Sequence, residues 1–203
     1  MVNNTKEKIL EAALSLFNKD GAFSVSTRHI AESMGISPGN LYYHFRNREE
    51  IIRVLMQRMT AEFDSLFIRE NITENFTSGL HNLLGKTGGI MCRYRFFYME
   101  PVAILERDPV LKKMYIAIKS RRMQDFRKVF NFLSSIGAIT HISDYELKAL
   151  VNNGWALSEF IIQSMYTSNE KITELNIKNN FLRIMIMIKP YLSNDFRSIV
   201  FPE

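Results

Sequence analysis

The sequence predicts an all-α fold of about nine helices, and three observations predict it. Apolar residues recur at three- and four-residue spacing along most of the 203 positions. Serine, asparagine and aspartate stand directly before such stretches as start signals, with glycine or proline after or between them. No internal repeat, metal-ligand cluster or low-complexity tract interrupts the pattern.

The elements follow in order. A first helix runs from about Thr5 to Asp20 and stops at Gly21. Ser26 caps a second, whose inner face is Ile30, Ala31 and Met34 and which Gly35 closes in the left-handed conformation. Ser37 and Pro38 start a third as N-cap and first helical residue, with Leu41 and Phe45 on one face. Asn47 with Glu50 three later forms a capping box for a fourth helix reaching about Arg69. The polar stretch Asn71 to Asn75 marks a boundary. Next come a helix from Glu74 to Gly85, a break at Gly88 and Gly89, and a helix from Ile90 to about Arg107 that Pro101 kinks or interrupts. Asp108 and Pro109 start a long helix to Ser135, ended by Gly137; Ser143 or Asp144 starts another to Thr167. The last spans Ile172 to Leu192 and includes the apolar run Ile184 to Ile188, too short for a bilayer and therefore read as buried. The units are residues 1–48, a connector at 48–69, and a second helical domain at 70–203.

Two short helices joined by a tight turn, the second small, aromatic and polar where exposed, are a device for touching DNA. With Leu41 and Phe45 turned inward, Gly39, Asn40, Tyr42, Tyr43 and His44 remain for a partner. Gly39 lets the backbone approach a sugar-phosphate wall. Tyr42, Tyr43 and His44 donate to phosphates, and Pro38 and Asn40 reach base edges or thymine methyls in a major groove. The bland alternatives are a half-buried Tyr42 and a His44 that packs or caps.

The order Ile9, Ala12, Ala13, Leu16, Phe17, Gly21, Phe23, Thr27, Ile30, Ala31, Gly35, Ile36, Ser37, Gly39, Leu41, Tyr42, His44, Phe45, Glu49 resembles the TetR family of bacterial one-component transcriptional regulators over residues 5–58. The resemblance implies that Thr27, Arg28 and the recognition helix Pro38 to His44, entered at Ser37, lie against DNA, with Arg48 on a phosphate. His29 departs from the pattern, standing where an acidic residue is frequent, and adds positive charge near the backbone when protonated. The segment from Tyr94 to Pro109 is similar to effector domains of one branch of the family.

Charge agrees without locating the surface. The net charge is +5, and residues 1–58 hold eight Lys and Arg against six Asp and Glu. Placement carries more: Arg28, Arg46 and Arg48 cluster about the motif. A single Cys92 excludes an intramolecular disulfide framework and fits a reducing compartment. Without an apolar leader or a bilayer-length span, the expected location is cytoplasmic, with no membrane contact.

Two further sets are candidates. Leu147, Leu150, Val151, Gly154, Leu157, Ser158 and Ile161 line one side of one helix, and Phe181, Ile184, Met185 and Ile188 line another. Val151, Gly154, Ser158, Phe181, Met185 and Ile188 are the core of an expected homodimer bundle, with an intrachain core as the alternative. In the family these two helices form the subunit interface. Met91, Tyr94, Phe97, Tyr98, Met114, Tyr115, Ile118, Phe126, Trp155 and Phe160 form an expected pocket for a small apolar effector, in a chain with eleven Met and fifteen Phe. Plain core is the alternative at each, and Glu100, Glu159 and Gln163 are the polar candidates.

Enzyme chemistry is not expected: Cys92 lacks a nucleophile signature, no Gly-rich phosphate loop is present, and no carboxylate pair stands out. His81 and His141 have no ligand at i+3 or i+4, so neither metal nor cofactor is expected. The expected function is a dimeric repressor released from a palindromic double-stranded DNA operator by a small lipophilic effector. The alternative is a DNA-binding regulator controlled by a protein partner, or constitutive.

Overall fold

A computed structural model of the chain describes residues 2–69 and 76–201, and eleven α-helices and one 3-10 helix account for most of them. The start signals behave as read. Ser26 Oγ accepts from the His29 N–H, Ser37 Oγ from Asn40, Asp108 Oδ1 from Val110 and Leu111, and Ser143 Oγ from Glu146. These cap α2 (Thr27–Ser33), α3 (Pro38–His44), α8 (Pro109–Ser135) and α9 (Asp144–Thr167). Asn47 Oδ1 accepts from Glu50 at 2.9 Å to start α4 (Arg48–Arg69), while Glu50 reaches back to the Arg46 N–H at 2.8 Å, one residue beyond the cap. The expected boundary at Asn71 to Asn75 lies outside the described residues.

Three expectations about the second half are corrected. Helix α5 (Phe76–Arg93) runs straight through Gly88 and Gly89 instead of breaking there. A Cβ on Gly88 would lie 2.8 Å from the Glu174 carbonyl oxygen, so the missing side chain is what lets α10 (Glu174–Met185) lie against α5. That packing outweighs the weak helix propensity of glycine. The helix expected from Ile90 to Arg107 is interrupted at Pro101, which becomes the first residue of α7 (Pro101–Arg107), but it also breaks at Tyr94, where α5 ends and α6 (Arg95–Met99) follows. The terminal helix is also divided. Pro190 cannot donate to the helical ladder, and the chain tightens into a 3-10 segment at Ile186–Tyr191 before α11 (Asn194–Val200), an element the sequence reading missed. Ile186 is 55% exposed, so the apolar run is not buried within the protomer.

The core of the amino-terminal helices does not close on itself. Phe17, Ile30, Leu41 and Phe45 join one apolar cluster with Tyr94, Phe96, Phe97, Ile104 and Leu111 of the second half. At its edge the loop after α1 (Val2–Asp20) is gripped by α6 and α7. Asn18 donates to the Arg93 carbonyl at 2.7 Å and accepts from Phe96 N–H at 3.0 Å; Glu100 accepts from Ala22 N–H at 3.1 Å. Arg107 stacks 4.2 Å from the Phe23 ring centroid, and Arg53 of α4 donates to Asp108 at 2.6 Å.

Candidate nucleic-acid interface

The α2–α3 unit is anchored from below. Leu41 and Phe45 are sealed in the core, as are Ile30 and Ala31. Gly35, at φ +65°, makes the turn, and the Ile36 N–H returns to the Ala31 carbonyl at 3.0 Å. What remains outside is one continuous surface: Ser37, Pro38, Gly39 and Asn40 are exposed, Tyr42 is 53% exposed and Tyr43 77%. His44 is half-buried and meets Tyr43 edge to face at 5.1 Å. Thr27 Oγ1 donates to the Tyr42 hydroxyl at 3.4 Å, tying the start of α2 to α3. Arg28 is exposed and pairs with Glu32 at 2.7 Å.

Arg48 is placed differently from the expectation. Its guanidinium turns inward, 17% exposed, donating to the Phe23 carbonyl at 3.2 Å and to Glu49 at 3.0 Å while stacking 5.2 Å from the Phe23 ring. A group held by a carbonyl, a carboxylate and an aromatic face braces the α1–α2 loop. The exposed cations beside the recognition helix are Arg46 and Lys6, the latter 5.3 Å from the Phe45 ring. His29 likewise has a local role: its Nδ1 accepts from the Ser26 N–H at 3.4 Å, completing a capping box in place of an acid.

The ten expected pocket residues are distributed over separate packing clusters and partly buried positions. Tyr94 and Phe97 belong to the cluster beneath the amino-terminal helices, and Tyr94 donates to Glu62 of α4 at 2.6 Å. Met91 lies in a second cluster with Ile161, Ile162, Met165 and Ile177, and Phe160 is 52% exposed on the outer face of α9. Met114, Phe126 and Trp155 are half-buried; Tyr98, Tyr115 and Ile118 are half-buried against the core. One crevice of about 10 Å³ lies between Phe23, Ile52, Arg107 and Asp108.

Of the six interface candidates, Val151, Gly154, Ser158, Phe181, Met185 and Ile188 are all only partly buried in the protomer. A Cβ on Gly154 would meet nothing within 4 Å, and Leu157 beside it is 44% exposed. Phe181 leans on the second cluster, and Met185 and Ile188 on a third under α8. Among the described residues no group of His, Cys, Asp and Glu is arranged to hold a metal, and no helix is long and apolar enough to cross a membrane.

Comparison with known proteins is consistent along the chain. The sequence model described as "Bacterial regulatory proteins, tetR family" matches residues 9–55, and that described as "Bacterial transcriptional repressor" matches residues 54–200. The transcriptional regulator UidR of Escherichia coli K12 is 31% identical over 136 residues, covering 60% of this chain and 65% of UidR. A TetR-family regulator from Marinobacter aquaeolei VT8 superimposes with a TM-score of 0.87 and 28% identity over 97% of this chain and 95% of that one. SmeT, solved in complex with triclosan, has the same fold with a TM-score of 0.65 and 16% identity over 95% and 94% of the two chains.

Proposed function

This chain belongs to the TetR family of bacterial transcriptional regulators, and from that membership we propose a dimeric repressor that reads a two-fold DNA operator and is released from it by a small lipophilic effector. The observation that carries the DNA reading is the outward surface from Ser37 to Tyr43, set on an α3 that Leu41 and Phe45 hold rigidly from below. Pro38 and Asn40 read base edges; Thr27, Tyr42, Tyr43 and His44 hold phosphates; Gly39 admits the backbone; Arg28 exchanges Glu32 for phosphate. Residues 1–48 form the DNA-binding unit, α4 the connector and residues 70–203 the effector and dimerisation unit.

The pair of subunits forms through α9 and α10, where Val151, Gly154 and Ser158 of one protomer meet Phe181, Met185 and Ile188 of its partner. A symmetric pair sets two recognition helices about one helical turn of DNA apart. An effector wedged among α6, α8 and α9, against Tyr98, Met114, Tyr115, Ile118 and Trp155, tilts α4 and spoils that spacing. A coupling of about 1–3 kcal/mol weakens operator binding roughly 5- to 150-fold. SmeT, of the same fold, is bound to triclosan, a precedent for a lipophilic guest. The alternative reading is that a protein partner, or nothing, controls DNA release.

Selection of duplexes from a random pool, followed by fluorescence anisotropy and sedimentation, tests the core of this reading. The expected result is an inverted-repeat site bound by one or two dimers, with Pro38→Ala or Asn40→Ala changing the preferred sequence. Failure to enrich any duplex, or a strict monomer, refutes it. A thermal-shift screen with lipophilic compounds separates the two controls, since an effector at 100 times its Kd stabilises by about 2.7 kcal/mol.

A further inference from the structure

Among the described residues two charged side chains are buried, Asp108 at the start of α8 and Arg122 near its middle, and each is met by a partner of opposite sign on α4. Arg53 donates to Asp108 at 2.6 Å. About three turns further along α4, Asp64 accepts from Arg122, and through both carboxylate oxygens from Arg121 at 3.0 and 2.9 Å. Arg122 also reaches Asp125 at 3.5 Å, and Asp125 in turn pairs with Lys128. The side chain of Arg122 is 7% exposed, so its charge is withdrawn from water and held in place by α4.

Two such anchorages of opposite polarity do what an apolar contact does not. Leucines in a groove can slide by a turn and repack, whereas Arg53 and Asp64, about 16 Å apart along α4, meet Asp108 and Arg122, about 20 Å apart along α8, at one setting only. A shift by one turn leaves a carboxylate or a guanidinium buried without its counter-ion, which is strongly destabilising. Replacing a buried pair by apolar residues of similar volume is often neutral for stability, and the best-attested use of buried charge is to fix a register. Helix α4 begins at Arg48, just after the turn that follows Phe45, the sealed end of α3. The register of α4 on α8 therefore sets where the surface from Ser37 to Tyr43 stands relative to the second domain.

We propose that Asp64 and Arg122 are positioning residues for operator selection: the pair holds α4 at one register on α8, and in the dimer this fixes the separation of half-sites that the two recognition helices accept. This rests on the reading of the chain as a dimer on a two-fold operator, and it assigns part of the specificity to residues outside the DNA surface. Pro38 and Asn40 read bases within a half-site. Asp64, about 24 Å along α4 from Arg48, reads none and selects the distance between half-sites. One base pair more or less in the spacer moves a half-site by about 3.4 Å and turns it by about 35°, which a fixed pair of helices does not follow.

The test uses the full chain and the duplex selected from the random pool, with versions of it carrying one base pair added to or removed from the spacer, or one base changed inside a half-site. In anisotropy titrations wild type is expected to bind its own spacing about tenfold or more tighter than either altered spacing. Asp64→Leu combined with Arg122→Met puts apolar volume in place of the pair. It is expected to leave Tm within about 5 °C of wild type and to reduce the spacing preference to about threefold or less. The penalty for the changed base inside a half-site stays as in wild type, a readout that general loss of structure would not preserve. Asp64→Asn removes the charge at nearly constant size, is expected to weaken the spacing preference in the same direction, and carries the test should the double variant not fold. A spacing preference equal to wild type in the folded variants overturns the proposal, as does a uniform loss on all duplexes or a wild type indifferent to spacing. These outcomes leave duplex binding itself intact, whereas a wild-type sample that binds no duplex removes the regulator reading and this inference with it.

Discussion

Asp108 is the residue whose removal reports most on how the two halves are joined. Its Oδ1 accepts from the N–H groups of Val110 and Leu111 at 3.0 and 3.1 Å, capping α8, and its Oδ2 accepts from Arg53 of α4 at 2.6 Å. Asp108→Ala removes both. Loss of an N-cap costs about 1 kcal/mol, within a range of roughly 0.5–2. The ion pair is screened by an Arg53 that is 35% exposed, which holds its own contribution to about 1 kcal/mol. Leaving Arg53 half-buried and unpaired adds up to about 1 more. The expected total of about 2–3 kcal/mol lowers the Tm of a chain this size by roughly 5–10 °C. Asp108→Asn keeps the cap and loses the charge, at about 1 kcal/mol. Melts at one fixed protein concentration measure this, because dimerisation makes Tm concentration-dependent. Burial alone raises the carboxyl, but the Arg53 hydrogen bond, the two backbone N–H groups and the Arg53 charge together hold it below its ordinary value of 3.8. A depressed folded pKa gives stability that is whole above 3.8 and is lost as pH falls through the lower folded value. The gap between wild type and Asp108→Asn therefore closes below about pH 4. Equal costs for Ala and Asn, a cost under about 0.5 kcal/mol for Ala, or a gap undiminished in acid would refute the reasoning.

Three other outcomes follow from particular contacts. Arg46→Ala is expected to flatten the salt dependence of duplex binding by about 0.9 in the log–log slope, while Arg48→Ala leaves that slope unchanged and lowers Tm, both read by anisotropy titrations at several salt concentrations and by melts. His29→Glu replaces a long 3.4 Å imidazole bond with a carboxylate in the first turn of α2, and is expected to raise stability by about 0.5–1 kcal/mol in chemical denaturation. Gly88→Ala drives a methyl to 2.8 Å from the Glu174 carbonyl oxygen, where backbone must move, and is expected to cost about 1–3 kcal/mol.

The amino-terminal helices were legible because their signals are local. Ser26, Gly35, Ser37 and Pro38 act within four residues of themselves, and each cap forms as its spacing demands. The same holds for Asp108, Pro109 and Ser143. Where the reading failed, the deciding partner was remote in sequence. Gly88 resembles a breaker until Glu174 is brought against it, and then its lack of a side chain is the condition for a helix contact. Arg48 resembles a phosphate ligand until Phe23 supplies a carbonyl and a ring. The pocket set is legible only as a set of apolar residues: aromatic and methionine spacing identifies residues that avoid water, and says nothing about which neighbour they avoid it with. Tyr94 and Phe97, for example, pack in the core shared with α1 and α4, and Tyr94 donates to Glu62.

That shared core bears on how a signal would reach the DNA. In the proposed switch α4 tilts, yet α4 is not the only connection between the recognition helix and the second domain. Asn18, Ala22 and Phe23 are bound by Arg93, Phe96, Glu100 and Arg107, at points that do not pass through α4. Phe17 and Phe96 add a ring contact at 5.4 Å across the same seam. A rotation of α4 alone would therefore have to break two bonds at Asn18, one at Ala22 and an arginine stack, each worth about 0.5–1.5 kcal/mol. Together these come to about 2–6 kcal/mol, at or above a coupling energy of about 1–3 kcal/mol. The lower-energy route moves α6, α7 and the amino-terminal unit as one body, with α4 turning alongside. Tyr98 on α6, tied to α9 through Gln163, is where such a movement would begin.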